Sequence, residues 1–138
     1  MTRDTTTGTT YEKVVYSLIE NFGHNYKKQV MLGKKRNGKR HIVDLIIEGK
    51  TLVSLKNQKV AGTAEEKVPF EFMKLQHAID DYGYTNAIIV LNGDTGWTWK
   101  EYYLCKEFKK AMKILYPNVE IMNHEQFISR YNNVKYST

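Results

Sequence analysis

The sequence predicts an α/β fold, a mixed central sheet flanked by helices, in the order αβββαβαβα. Tyr11, Val14, Val15, Leu18, Ile19 and Phe22 recur at helical spacing. Residues 26–35, 40–47 and 51–58 read as three consecutive strands. Ala87-Ile88-Ile89-Val90-Leu91 is an unbroken apolar run, the pattern of a strand covered on both faces of a sheet.

Each element has its own signals. The first helix covers residues 11–22, follows a Gly-Thr-Thr lead suited to capping, and ends at Gly23. Asn37-Gly38 signals a tight hairpin between the first two strands. Glu48-Gly49-Lys50 turns the chain into the third strand, so the three form an antiparallel meander. Thr63-Ala64-Glu65-Glu66 has the spacing of a capping box. Pro69 lies too deep to be the first residue of a helix starting there. The second helix, running to about Asp81, therefore begins either at Thr63 or, after a separate turn, near Pro69. The apolar run at 87–91 takes a central place in the sheet. Residues 98–115 form a third helix, 119–122 a short edge strand, and 124–132 a last helix after Asn123.

A chain of 138 residues is long enough to bury one proper core, so a single domain over 1–138 is expected. Hydrophobic residues at 41% and charged residues at 26% exclude a disordered or membrane class. No apolar run reaches bilayer length, and the opening MTRDTTTGTT lacks the apolar core of a secretion signal. The expected setting is cytoplasmic, with no membrane partner. Cys105 is the only cysteine, which rules out an internal disulfide, and the four histidines show no zinc spacing. A net charge of +6 suits a polyanionic partner.

The chemistry concentrates in the second and third strands. Strict alternation places Asp44 on one face with Ile42 and Ile46, where an ionised carboxylate needs a lysine or a metal ion beside it. On the third strand the same period groups Lys56 with Ser54 and Gln58. If the two strands pair across the Glu48-Gly49-Lys50 turn, Asp44 and Lys56 share one site. Such a pair serves either fold specificity alone or a reactive centre.

The stretches GTTYEKVVYSLIENFG, RHIVDLII, TLVSLKNQ, GTAEEKVPFEFMKL and AIIVLNGDTGW run along nearly the whole chain. In that order the sequence resembles the PD-(D/E)XK nuclease superfamily: a glutamate on the first helix, an Asp on the second strand, an acid-x-Lys on the third, then a helix and a buried strand. The resemblance implies a restriction-endonuclease-like αβββαβ core and a magnesium-dependent DNA endonuclease, with manganese as a possible substitute. Asp44 would hold the metal, Lys56 would act on the attacking water and the developing charge, and Glu12 would orient that water or the lysine.

Two positions depart from the family pattern. Val43 replaces the Pro of the family name, and Ser54 replaces the strand-three acid. Restriction enzymes of this superfamily with Ser-x-Lys draw the acid from the following helix. Here Glu66 ranks first as that catalytic and metal-binding acid, Glu71 second, and Gln58 is a further candidate whose alternative is a plain polar strand end. The hairpin residues Lys34, Lys35, Arg36, Lys39 and Arg40 are the expected DNA grip, or else a solvated turn guarding a sheet edge. Lys106, Lys109, Lys110 and Lys113 form a second basic stripe that reads as solubility, and Trp97, Trp99, Tyr102 and Tyr103 read as packing before base stacking. Restriction, homing and junction-resolving enzymes all match this pattern, usually as homodimers, and a catalytically silent DNA-binding module is the competing reading.

Overall fold

The computed structural model describes residues 6–58, 63–93 and 96–136. The chain opens with α1 (Thr6–Asn21), then β1 (Tyr26–Lys34), β2 (Arg40–Ile47) and β3 (Thr51–Asn57). A 3-10 turn (Thr63–Lys67) leads into α2 (Val68–Tyr82) and β4 (Asn86–Asn92). Two helices, α3 (Lys100–Tyr103) and α4 (Lys106–Leu115), precede β5 (Val119–Asn123) and α5 (His124–Tyr136).

The five strands form one mixed sheet in chain order, β1-β2-β3-β4-β5. The meander β1 to β3 is antiparallel, and β3, β4 and β5 are parallel to one another. β4 is interior and fully covered, although β3 is the middle strand. α1 and α5 pack on one face over Val15, Ile19, Leu45, Val53, Ile88 and Phe127. α2 and α4 cover the other over Leu52, Phe72, Leu75, Ile89, Phe108 and Ile121. Leu75 is fully buried, and truncating such a residue to Ala costs about 2–5 kcal/mol.

Local chemistry explains most boundaries. Glu48 (φ 55°) and Gly49 (φ 70°) both occupy the left-handed region, so the three-residue β2–β3 connection turns tightly, with Lys50 N donating to Ile47 O. Asn37-Gly38 does not form the expected two-residue turn. Residues 35–39 make a longer loop, closed by Lys35 N donating to Lys39 O and by Lys39 N donating to the Asn37 side chain. α2 starts at Val68 with Pro69 in its first turn, so the 3-10 turn absorbs residues 63–67. The predicted third helix is broken. Cys105 is extended (φ −79°, ψ 163°), which ends α3 and starts α4.

The regular alternation of β2 also breaks, and it breaks at Asp44. Val43 and Ile46 belong to the α2-side core, whereas Leu45 and Ile47 belong to the α1-side core. Ile42 is 49% exposed. Ile42 and Ile46 therefore do not share a face with Asp44 between them, contrary to the strict two-residue period. The cause is a paired irregularity: the β1–β2 ladder skips Gln29 and Asp44, and Gln29 adopts φ 52°. β1 switches faces at the same level, with Tyr26 on the α1 side and Val30 and Leu32 on the α2 side.

Candidate active site

Beyond the face switch, β2 and β3 part. Their paired positions stop at Leu45↔Val53, and the backbone of Asp44 leaves the ladder. Asp44 spans the gap with its side chain: Leu55 N donates to its Oδ2 at 2.7 Å, and Tyr16 OH donates to its carbonyl at 2.9 Å. This is why a strand-borne acid sits fixed among apolar neighbours.

Glu12 reaches the same spot from α1. Gln29 Nε2 donates to Glu12 Oε1 at 3.0 Å, and the Glu12 and Asp44 carboxyls lie near enough for each to act on the other. Burial, then the neighbouring Asp44, push Glu12 up to about 6. Burial also raises Asp44, against the Leu55 amide and the charge of Lys56, which pull it down. Two neighbouring acids in a half-buried place form a centre of excess negative charge.

The second cluster lies on the α2 side. Glu71 is buried (6% exposed), with Lys56 Nζ 3.3 Å and Lys74 Nζ 3.1 Å from its Oε1. Burial raises its pKa, but Lys56, Lys74 and the hydrogen bonds from Lys74 and Ser54 outweigh burial and hold it below the ordinary range. The acid that occupies the neighbourhood of Ser54 is therefore Glu71. The first-ranked candidate, Glu66, is exposed on the 3-10 turn, and its charge bears on Tyr103. The charged groups that act on Asp44 are Lys56, Glu71 and Glu12. The ranking of Glu66 over Glu71 is corrected by the helix start at Val68. Counting from there, Glu71 falls on the buried stripe with Val68, Phe72 and Leu75.

Neighbouring Glu65 has another task. It is buried, and its Oε1 accepts from Thr98 N and Trp99 N, both at 2.7 Å, fixing the start of α3. Gln58 binds the Gly96 carbonyl and Glu65 through its amide nitrogen. Its Oε1 is buried without a hydrogen-bond partner. Tyr11, Glu12, Lys56, Gln58 and Trp97 line a pocket of about 180 Å³. Sequence reasoning missed Tyr11 and Gln29 here; Tyr11, adjacent to Glu12, was legible only as a core residue.

The hairpin cations divide. Lys34, Lys39 and Arg40 are exposed and Lys35 is half-buried. Arg36 makes a two-pronged ion pair with Asp81 (3.1 and 3.0 Å) and is held by the protein itself. Among the aromatics, Tyr103 is core and donates to Glu65 O, Trp97 Nε1 donates to Asn92 O, and Trp99 and Tyr102 remain exposed. No group of three or more His, Cys, Asp and Glu side chains with metal-binding geometry occurs among the described residues. No described helix is long and apolar enough to cross a membrane.

A mixed sheet whose meander parts at an acid, with a lysine and a helix-borne glutamate beside it, defines a nuclease-like α/β protein. Residues 3–135 match the model of the PD-(D/E)XK nuclease superfamily domain, and the chain belongs to that superfamily. No curated protein matches the chain at a significant level. Among solved structures it is similar to a crystal structure of a protein of unknown function, AF1548, with a TM-score of 0.51 and 14% identity over 82% of this chain. The chain spans 56% of that protein, and the likeness concerns the fold alone.

Proposed function

We propose that the protein is a magnesium-dependent DNA endonuclease that hydrolyses phosphodiester bonds at the Glu12–Asp44–Lys56 centre. The observation that carries this reading is the Asp44 carboxylate held by Leu55 N at 2.7 Å where the strands part, with Glu12 beside it and Glu12 and Lys56 lining one pocket. Carboxylates held together against their repulsion mark a place for a cation. Magnesium is commonly held by one or two carboxylates, with waters and phosphate oxygens completing its shell, and this pair of hard oxygen donors fits that demand. Asp44 and Glu12 are the residues that would hold the ion. When bound, it would supply Lewis-acid activation of water and neutralise charge on the phosphate.

The chain's own groups do the rest. With a cation beside it Glu12 would ionise, so that two carboxylates face the ion. Lys56, half-buried and paired with Glu71, donates from Nζ to the attacking water and to the charge that develops on the scissile phosphate. Glu71 positions Lys56 and touches neither water nor phosphate. Lys34, Lys35, Lys39 and Arg40 extend a positive surface for the DNA backbone. One such centre cuts one strand, so double-strand cleavage calls for a homodimer.

The test is plasmid cleavage in magnesium against the same reaction in a chelator, repeated with Asp44→Asn. Cleavage that needs the metal and is lost in the variant supports the reading. DNA binding without any cleavage under either condition would replace the enzyme with a silent binding module.

A further inference from the structure

A second groove lies between the β1–β2 hairpin and α2. It encloses about 250 Å³ and is lined by Lys34, Lys35, Phe70, Met73, Lys74 and His77, among others. Two latches make it rigid. Arg36 grips Asp81 at the end of α2, and Tyr82 OH donates to the Lys34 carbonyl. The Tyr82 ring also packs so close to Gly33 (φ 149°) that a Cβ there would lie 2.5 Å from it, so only glycine lets hairpin and helix meet this way.

The groove's chemistry is mixed in a specific manner. Phe70 stands 54% exposed on the first turn of α2, and Lys74 Nζ lies 5.7 Å from its ring centroid. Lys34 and Lys35 flank it, and the carboxylate at the groove, Asp81, is neutralised by Arg36. An aromatic platform flanked by Lys34 and Lys35 suits a phosphate-bearing ring system, since stacking accepts any base while lysines track the backbone. The groove lies close to the candidate active site: Lys74, which lines it, pairs with Glu71, and Glu71 pairs with Lys56.

We propose that this groove seats an unpaired nucleotide of the DNA strand, its base on Phe70 and its phosphates on Lys34 and Lys35. The substrate class is therefore DNA with a single-stranded segment next to the cut, as in an overhang, flap or junction. This deepens the nuclease reading and rests on it for the cut, but not for the binding.

The experiment is fluorescence anisotropy in a chelator, with a blunt duplex and the same duplex carrying an oligo-thymidine tail. Wild-type protein should bind the tailed probe about tenfold tighter, the scale of one base–aromatic stack. In Phe70→Ala the ratio between the two probes should fall to about one, and Phe70→Trp should restore it. In Lys34→Ala/Lys35→Ala the log-affinity against log-salt slope for the tailed probe should drop by about 0.7 for each phosphate no longer neutralised. A wild-type ratio of one, or a ratio kept by Phe70→Ala, overturns the proposal. Displacement of the tailed probe by equimolar thymidine monophosphate also overturns it, making the groove a mononucleotide site. Plasmid cleavage in magnesium is read separately. Cleavage without tail preference sinks this inference alone, and tail preference without cleavage sinks the nuclease reading alone.

Discussion

The two acidic clusters on either side of Lys56 have opposite electrostatics. Glu71 is buried but sits between two lysines and a serine, and its pKa is held down. Glu12 and Asp44 are each half-buried, lie beside one another, and both are pushed up. The first cluster is satisfied within the protein; the second is left wanting positive charge. Burial alone does not distinguish a structural acid from a functional one, whereas the sign of what surrounds it does.

The comparison breaks most sharply at Asp44. Asp44→Ala is expected to abolish plasmid cleavage with unchanged far-ultraviolet circular dichroism, because it removes a carboxylate that would hold the metal ion. A folded variant with full activity would mean that the Glu12–Asp44 pair marks no functional centre. Lys56→Met follows, with a loss in kcat of about 10²–10³, the usual effect of removing one donor to a developing charge. DNA affinity should be retained, and unimpaired turnover would leave the lysine only as a partner of Glu71. Glu71→Gln should be milder, about tenfold in kcat on the same order-of-magnitude scale, since it acts through the position of Lys56. A loss as large as that of Asp44→Ala would move Glu71 from the satisfied cluster to the reacting one.

The smallest effect separates the clusters by pH in the metal-free protein. Glu12 has a folded pKa near 6, above the ordinary 4.5, so the native state takes up protons between those values. That contribution to stability is full below about 4.5 and is lost as pH rises through 6. Glu71 is depressed, so its contribution is present above the ordinary carboxylate value and is lost as pH falls through its lower folded one. Urea midpoints across pH should show the first slope shrink in Asp44→Asn, burial of Glu12 keeping the rest, and the second vanish in Glu71→Gln. Identical profiles for both variants would deny the contrast.

Much of this architecture was legible in the sequence. The meander, the buried fourth strand and the family resemblance followed from HIVDLII, TLVSLKN and AIIVL, whose period and length are local properties. Asp44 was singled out because a carboxylate is costly in an apolar strand, Lys56 because it stands in a polar stripe on the neighbouring strand, and Glu12 through the family resemblance. Two things were hidden. The face switch at Asp44 depends on Gln29 in the partner strand, and no residue type announces a left-handed Gln. The choice between Glu66 and Glu71 depends on the phase of α2, which the 3-10 turn resets. Glu71 lies three residues after Val68 and four before Leu75, so starting the helix at Pro69 would have placed it on the apolar stripe.

The order of the sheet follows the order of the chain, which bears on how the protein is made. When the first three strands of a growing chain have emerged, residues 58–85 are still to come, and β3 presents an open edge until β4 arrives to pair from Thr51 to Asn57. An apolar edge of that kind is a template for another nascent chain. Leu52, Val53 and Leu55 would make it so, but Ser54 and Lys56 interrupt the run with a hydroxyl and a charge. Polar interruptions of this kind work against the addition of one unfinished sheet to the next.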